Sequence, residues 1–234
     1  MSTQLQGKNI VVTGGFGILG RALGALLSSR GARVALLDRT PSPFDSESEH
    51  GLLALGGVDL GDTAAGAAAF AGIAAQLGAI HALVNVAGGF CWETVEGGSI
   101  ASWDRMYEMN LRTAVLSSQA ALPHLLAANG GGRIVNIGAL ASLKAGPGMG
   151  AYAASKAGLA RFTEAFAEEL KDRGVTVNAV MPSIIDTPAN RADMPQADFS
   201  RWVTPAALAA VIAFLLSDDA APISGACLPV GGRV

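Results

Sequence analysis

The feature that most constrains this chain is an alternation along its length. Seven short apolar runs rich in β-branched residues recur: NIVVT (9–13), RVALL (33–37), LLALGGV (52–58), ALVNV (82–86), RIVNI (133–137), VTVNAVM (175–181) and ACLPV (226–230). Longer helical stretches fill the gaps at 19–29, 63–77, 102–128, 150–173 and 205–217. The runs show little polar alternation, as strands covered on both faces do, and strands alternating with helices build a parallel sheet wrapped by helices. Leu19, Leu23, Leu26 and Leu27 share one face of the first helix, the spacing of a helix laid on a sheet. The Ala- and Gly-rich stretch 63–79 is read in the same way. Small residues let a helix lie close to a sheet, whereas a flexible linker would carry Ser or charge.

Composition enters as a set of exclusions. A chain of 234 residues, 50% hydrophobic and only 15% charged, suits a single buried core and excludes general disorder. Its 16 basic and 19 acidic residues offer no basic field for nucleic acid or an anionic membrane, so a small molecule is the expected partner. Charge, Gly or Pro interrupts every long apolar run before about 18 residues, too soon for a membrane span. The first residues have no apolar h-region or cleavage signature. Cys91 and Cys227 are too few for a disulfide framework or a zinc cluster, which makes a reducing cytoplasm the expected compartment. His50, His81 and His124 lack ligand spacing, so no metal is expected. Two polar stretches, 40–51 and 183–202, read as loops, the second long enough to be a substrate lid.

Two motifs carry chemistry. The first strand runs directly into TGGFGILG (13–20) and then a helix, with glycines at 14, 17 and 20. That arrangement lets backbone approach a pyrophosphate at a helix N-terminus, where free N–H groups and the dipole favour anions. Asp38 ends the second strand 18 residues past Gly20. A carboxylate there accepts hydrogen bonds from an adenosine ribose and repels a 2′-phosphate, favouring NAD. The neighbouring Arg39 is a candidate receiver for that phosphate, which leaves NADP open. The second motif is YAASK, Tyr152 to Lys156. Residues four apart share a helical face, so a phenol and an ammonium converge, and the cation is expected to lower the phenol pKa toward that of a general acid.

With these motifs in place, almost the whole chain resembles the short-chain dehydrogenase/reductase family. The likeness lies in TGGFGILG, in Asp59 after the third strand, in NVAG (Asn85, Val86, Ala87, Gly88), in Asn110, in YAASK, and in the segment Pro182 to Thr187. It implies an α/β architecture: one Rossmann-type doubly wound domain with a seven-stranded parallel sheet. It also implies an adenine contact at Asp59 and a nicotinamide carboxamide contact from Thr187 and backbone near Ile185. Lys156 is to hold the nicotinamide ribose, Tyr152 to donate the proton and Asn110 to support a proton-relay water. A homotetramer built on the helices at 102–128 and 150–173 is implied as well.

The chain departs from the family pattern at three places. Ile18 stands where the second motif glycine is usual, with Gly17 before it, and Val86 stands where Asn is usual. Ala139 occupies the position, 13 residues before Tyr152, where a substrate-binding Ser is expected. The missing donor is worth roughly 2.7 to 4 kcal/mol in comparable oxyanion sites. Ser142 is a candidate substitute. The same Ala, with GALASL, PGM, VAGGF (86–90) and the segment 186–202, is similar to quinonoid dihydropteridine reductases, although Asn110 belongs to the ordinary short-chain pattern. The expected activity is hydride transfer between NAD(P)(H) and a small carbonyl or alcohol. A quinonoid dihydropterin is the alternative substrate, and a noncatalytic NAD-binding regulator is the rival from another class. Phe90, Trp92 and Trp202 flank the expected substrate pocket, where flat rings could stack on them.

Overall fold

The computed structural model describes residues 5–44 and 52–234, so His50 and most of the polar stretch 40–51 lie outside the described residues. The strands are β1 (Asn9–Thr13), β2 (Arg33–Leu37), β3 (Leu52–Leu55), β4 (Ala82–Asn85), β5 (Gly132–Ile137), β6 (Val175–Pro182) and β7 (Cys227–Val230). They form one sheet in the order β3-β2-β1-β4-β5-β6-β7, with every pairing parallel. The chain moves outward from β1 through β2 to β3, then returns to place β4 on the other side of β1. That reversal opens a crevice beyond the carboxyl ends of β1 and β4, where ligands bind in sheets of this kind.

Burial explains the apolar strands. Every residue of β1, β4 and β5 is buried, because helices cover both faces. One core layer joins Leu23 and Leu27 of α1 (Ile18–Ser29) to Ile212 and Leu215 of α7 (Pro205–Leu215). The other joins Phe70 and Ile73 of α2 (Thr63–Leu77) to Leu125 of α4 (Thr113–Ala127) and to Phe166 and Leu170 of α5 (Gly150–Leu170). Helix α2 buries only the stripe Gly66, Phe70 and Ile73, with the Asp62 carboxylate capping its start through Ala64 N at 2.7 Å. Among the described residues, no helix is long and apolar enough to cross a membrane.

Most element ends fall within three residues of the sequence reading, and three differences have a physical reason. Strand β3 stops at Leu55, because Gly57 turns the chain at φ +75°. The single helix expected at 102–128 is three pieces: α3 (Ile100–Tyr107), a π-helical turn at Glu108–Arg112, and α4. The wider turn is held by contacts from distant residues, described below, that no local periodicity reports. The loop at 183–202 contains a short helix, α6 (Pro188–Asp193), started by Pro188 and capped by the Thr187 hydroxyl.

Candidate active site

The glycine turn after β1 is built by close approach of backbones. Gly14 has φ +62°, and a Cβ there would lie 2.7 Å from Ala87 N, so this strand end and the turn after β4 can meet only at glycine. A Cβ on Gly20 would collide with Gly14 O and lie 2.7 Å from Gly15 Cα, which makes Gly20 the residue that seats α1 on the turn. Gly15, not singled out from the sequence, is equally tight, with a would-be Cβ 2.6 Å from Leu36 Cβ. Gly17 differs from all three. Its Cβ would meet only Gly14 O at 3.4 Å, so packing alone does not demand glycine there.

The N-terminus of α1 has neither a side-chain cap nor an acidic residue in its first turn, a set of conditions that favours an anion. It opens on a cleft of about 910 Å³ lined by Gly14, Gly17, Ile18, Gly20, Asp38, Arg39, Asp59, Ala87, Gly88 and Thr187. Asp38 is fixed at the end of β2: one oxygen accepts the Phe16 N–H at 3.1 Å, the other the Thr40 N–H and hydroxyl at 3.0 Å each. Asp59 accepts the Gly61 N–H at 2.8 Å. Arg39 is exposed at the same rim. Spacing in the sequence did not single out Arg105, Met109, Arg112 and Thr113, which also line the cleft, Arg112 donating to Gly61 O at 2.7 Å. Their three- and four-residue separations along one helical stretch are a signal that could have found them.

Other expected cofactor residues lie behind the cleft wall. Asn85 is 3% exposed, and its amide donates to Ser118 Oγ at 3.1 Å and Asn136 Oδ1 at 2.9 Å. It ties β4 to β5 and α4 beneath the 86–88 turn. Pro182 is buried at the end of β6, and the Ile185 carbonyl accepts the Asn190 amide at 2.7 Å.

Tyr152 and Lys156 share one side of α5. Lys156 is 5% exposed, its Nζ donates to Ile137 O at 2.7 Å, and a Cβ on Gly88 would lie 3.4 Å from that Nζ. The ammonium therefore sits against the cleft edge. Burial pushes its pKa down to about 8. The Tyr152 phenol does not follow the expectation of a lowered pKa: burial pushes it up to about 12. The cause is desolvation of the buried phenol, which four-residue spacing does not report; the Lys156 ammonium on the same side of α5 bonds the Ile137 carbonyl.

Asn110, 1% exposed in the π-helical turn, joins three segments. Its Oδ1 accepts the Gly89 N–H at 2.8 Å, and its Nδ2 donates to Gly89 O and to Ser155 Oγ at 3.0 Å each. Ser155 in turn donates to Tyr152 O at 2.7 Å. A single extra residue in a helical turn is a recurrent device for turning a side chain inward at a site.

On the far side of Tyr152 stands Phe90, 56% exposed, with its ring centroid 4.9 Å away and the planes at 83°. Trp92 is 61% exposed and held by its indole N–H on Pro147 O at 3.0 Å. Trp202 is placed differently, 7% exposed with its ring 4.8 Å from that of Phe199. Ala139 is 4% exposed at the end of β5. The Ser142 hydroxyl donates to Ala139 O at 2.7 Å, so its one donor is spent within its own turn.

Residues 8–198 match the family model for short chain dehydrogenases. The chain is similar to 2-(S)-hydroxypropyl-CoM dehydrogenase 3 of Xanthobacter autotrophicus, at 33% identity over 99% of this chain and 98% of that protein. It is also similar to 4-formylbenzenesulfonate dehydrogenase of Comamonas testosteroni, at 35% identity over 95% of this chain and 96% of that one. A solved short chain dehydrogenase from Burkholderia cenocepacia in complex with NADP superposes with a TM-score of 0.85, at 32% identity over 98% of both chains.

Proposed function

This chain belongs to the short-chain dehydrogenase/reductase family, and we propose that it moves a hydride between NAD(H) and a small carbonyl or alcohol. The observation that carries the reading is the buried Lys156 ammonium at the edge of the glycine-lined cleft, four residues from the Tyr152 phenol. A nicotinamide dinucleotide fits what lines the cleft. The uncapped start of α1 would hold the pyrophosphate, the fixed Asp38 carboxylate the adenosine ribose, Asp59 the adenine, and Lys156 at the cleft edge with Thr187 the nicotinamide end. When bound, the dinucleotide supplies or accepts the hydride.

The remaining chemistry belongs to side chains of this protein. Tyr152 is the group placed to give its proton to the substrate oxygen during reduction; burial keeps the phenol protonated at neutral pH but makes it a weaker acid, so its donation relies on a cation to stabilise the phenolate. Lys156 is the cation beside the resulting phenolate, and Asn110 holds the Gly89 turn and α5 in register around both. Phe90 and Trp92 wall the substrate side, Ala139 leaves it one donor short, and the segment 183–202, with Trp202, covers it.

Asp38 supports NAD(H), and Arg39 at the same rim supports NADP(H) as the second choice. A second substrate reading also has an observation in its favour. With Ala139 apolar and Ser142 engaged, the conjugated imine of a quinonoid dihydropterin would accept hydride without the absent hydroxyl. Nothing in a noncatalytic NAD sensor calls for the Tyr152 and Lys156 pair. Exposed Ile100, Trp103 and Tyr107 on α3 support a homotetramer, and the two free cysteines a reducing cytoplasm.

The test is a cofactor and substrate matrix. NADH oxidation is followed with a quinonoid dihydropterin, a diketone and a simple ketone, and repeated with Tyr152→Phe. The variant should lose about 10² to 10⁴-fold in turnover while NADH affinity stays within a few-fold. Near-normal turnover by the variant would remove Tyr152 from its role. Tighter binding of NADPH than of NADH would show that Arg39, and not Asp38, decides the cofactor.

A further inference from the structure

The last four residues of the sequence, 231–234, touch both roots of the segment 183–203. At the first root, Ser183 donates its N–H to Val230 O at 3.1 Å and its hydroxyl to Gly231 O at 2.7 Å. At the second root the Arg233 N–H donates to Arg201 O at 2.9 Å, and Arg201 Nε donates back to Arg233 O at 2.7 Å. The Arg233 guanidinium adds a bond to Ser200 O at 2.6 Å. Between these contacts Gly232 has φ +62°, and a Cβ there would lie 2.7 Å from Arg201 O. Only glycine lets the two stretches approach this closely.

The segment so fastened is a built unit. Ile185 bridges Val203 at its base, and Asp186 pairs with Arg191 through two bonds of 2.6 and 2.7 Å. The Arg191 guanidinium lies 4.8 Å over the Phe199 ring, which packs on Trp202. Its outward arm contributes Thr187, Pro188 and Ala189 to the cleft wall. Neither Gly232 nor Arg233 lines that cleft.

We propose that residues 231–234 form a strap that sets the position of the 183–203 segment over the cleft, with Arg233 as a positioning residue. The inference rests on the reading of that segment as the cover of the substrate site. A free segment of this length would be ordered at the moment of binding and would subtract that entropy from affinity. The strap orders both roots beforehand, so substrate affinity depends on residues that never meet the substrate.

Gly232→Ala, which pushes the strap off Arg201, and Arg233→Ala, which removes the bond to Ser200, test this in the full-length chain. Trypsin is the first probe, because Arg191 and Arg201 are cleavage sites inside the segment. Both variants should be cut there faster than the wild type at an unchanged melting temperature. With a turned-over carbonyl, KM should rise about 5-fold for Arg233→Ala, the factor of one net hydrogen bond, and more for Gly232→Ala. The turnover number should stay within about 2-fold, and Arg233→Lys, which keeps a donor, should recover part of the loss. Unchanged cleavage would overturn the strap. A melting temperature that falls in step with faster cleavage would also overturn it, since the contact would then hold the fold as a whole. Faster cleavage with unchanged KM would overturn the positioning role. Failure of every carbonyl to react with the wild type would refute the proposed activity, while the trypsin result would still decide the strap.

Discussion

Asn110 is the residue on which fold and site depend together, and Asn110→Ala exposes that dependence. Truncation removes three bonds, two to Gly89 and one to Ser155, at 2.8 to 3.0 Å. At about 1 kcal/mol net for each, the sum is about 3 kcal/mol. Gly89 is only half-buried and can recover water, which lowers the expectation to about 2–3 kcal/mol. In a chain of this size each kcal/mol moves the melting temperature by roughly 2–4 °C, so the variant should melt about 4–12 °C below the wild type by circular dichroism. Gly89 leads directly into Phe90, and Ser155 bonds the Tyr152 carbonyl, so activity should fall by more than the small fraction of unfolded protein accounts for. A melting temperature within about 1 °C of wild type would refute the reasoning, because these bonds would then be replaced without cost.

The other expected outcomes are these. His81 accepts the Asn9 N–H on Nδ1 at 2.9 Å, and burial, then Lys8, hold its pKa below the ordinary 6.5. The unfolded chain therefore takes up the proton first, and stability present above pH 6.5 is lost as pH falls through the folded-state value. Denaturant midpoints measured from pH 7.5 to 5 should show this fall, and His81→Asn, which keeps an acceptor without titrating, should flatten it. Gly14→Ala should fail to fold or melt far lower, since its Cβ meets Ala87 backbone, whereas Gly17→Ala should melt near wild type and bind NADH more weakly. Equal melting temperatures for the two variants would contradict the geometry of the turn. Ala139→Ser should raise kcat/KM on a simple ketone, by less than the 10² to 10³-fold of an oxyanion donor, and bring no gain on a quinonoid dihydropterin. Loss on both substrates would make position 139 a packing site.

What was legible in the sequence divides along a physical line. Strand β1 ends at Thr13 and α2 runs from Thr63 to Leu77, both as read, because their limits are set locally: Gly14 turns the chain at positive φ, and Asp62 caps the helix. The seven-stranded parallel sheet was legible for a similar reason, since a run such as RIVNI has no polar face to offer solvent. The features that escaped are held by partners far away in sequence. The π-helical turn at Glu108–Arg112 has no signature in its own residues, and Gly89 and Ser155 meet it only in the folded chain. The strap at 231–234 reads as a short glycine-rich tail until Arg201 and Ser183 are placed beside it. The Tyr152 and Lys156 pair shows the same line crossing a single motif. Helical spacing put both residues on one side of α5, yet the phenol pKa moved up, because its direction follows from burial in the folded chain, which spacing does not report. Spacing therefore reports which groups share a side of the helix, and burial by residues distant in sequence decides how each of them titrates.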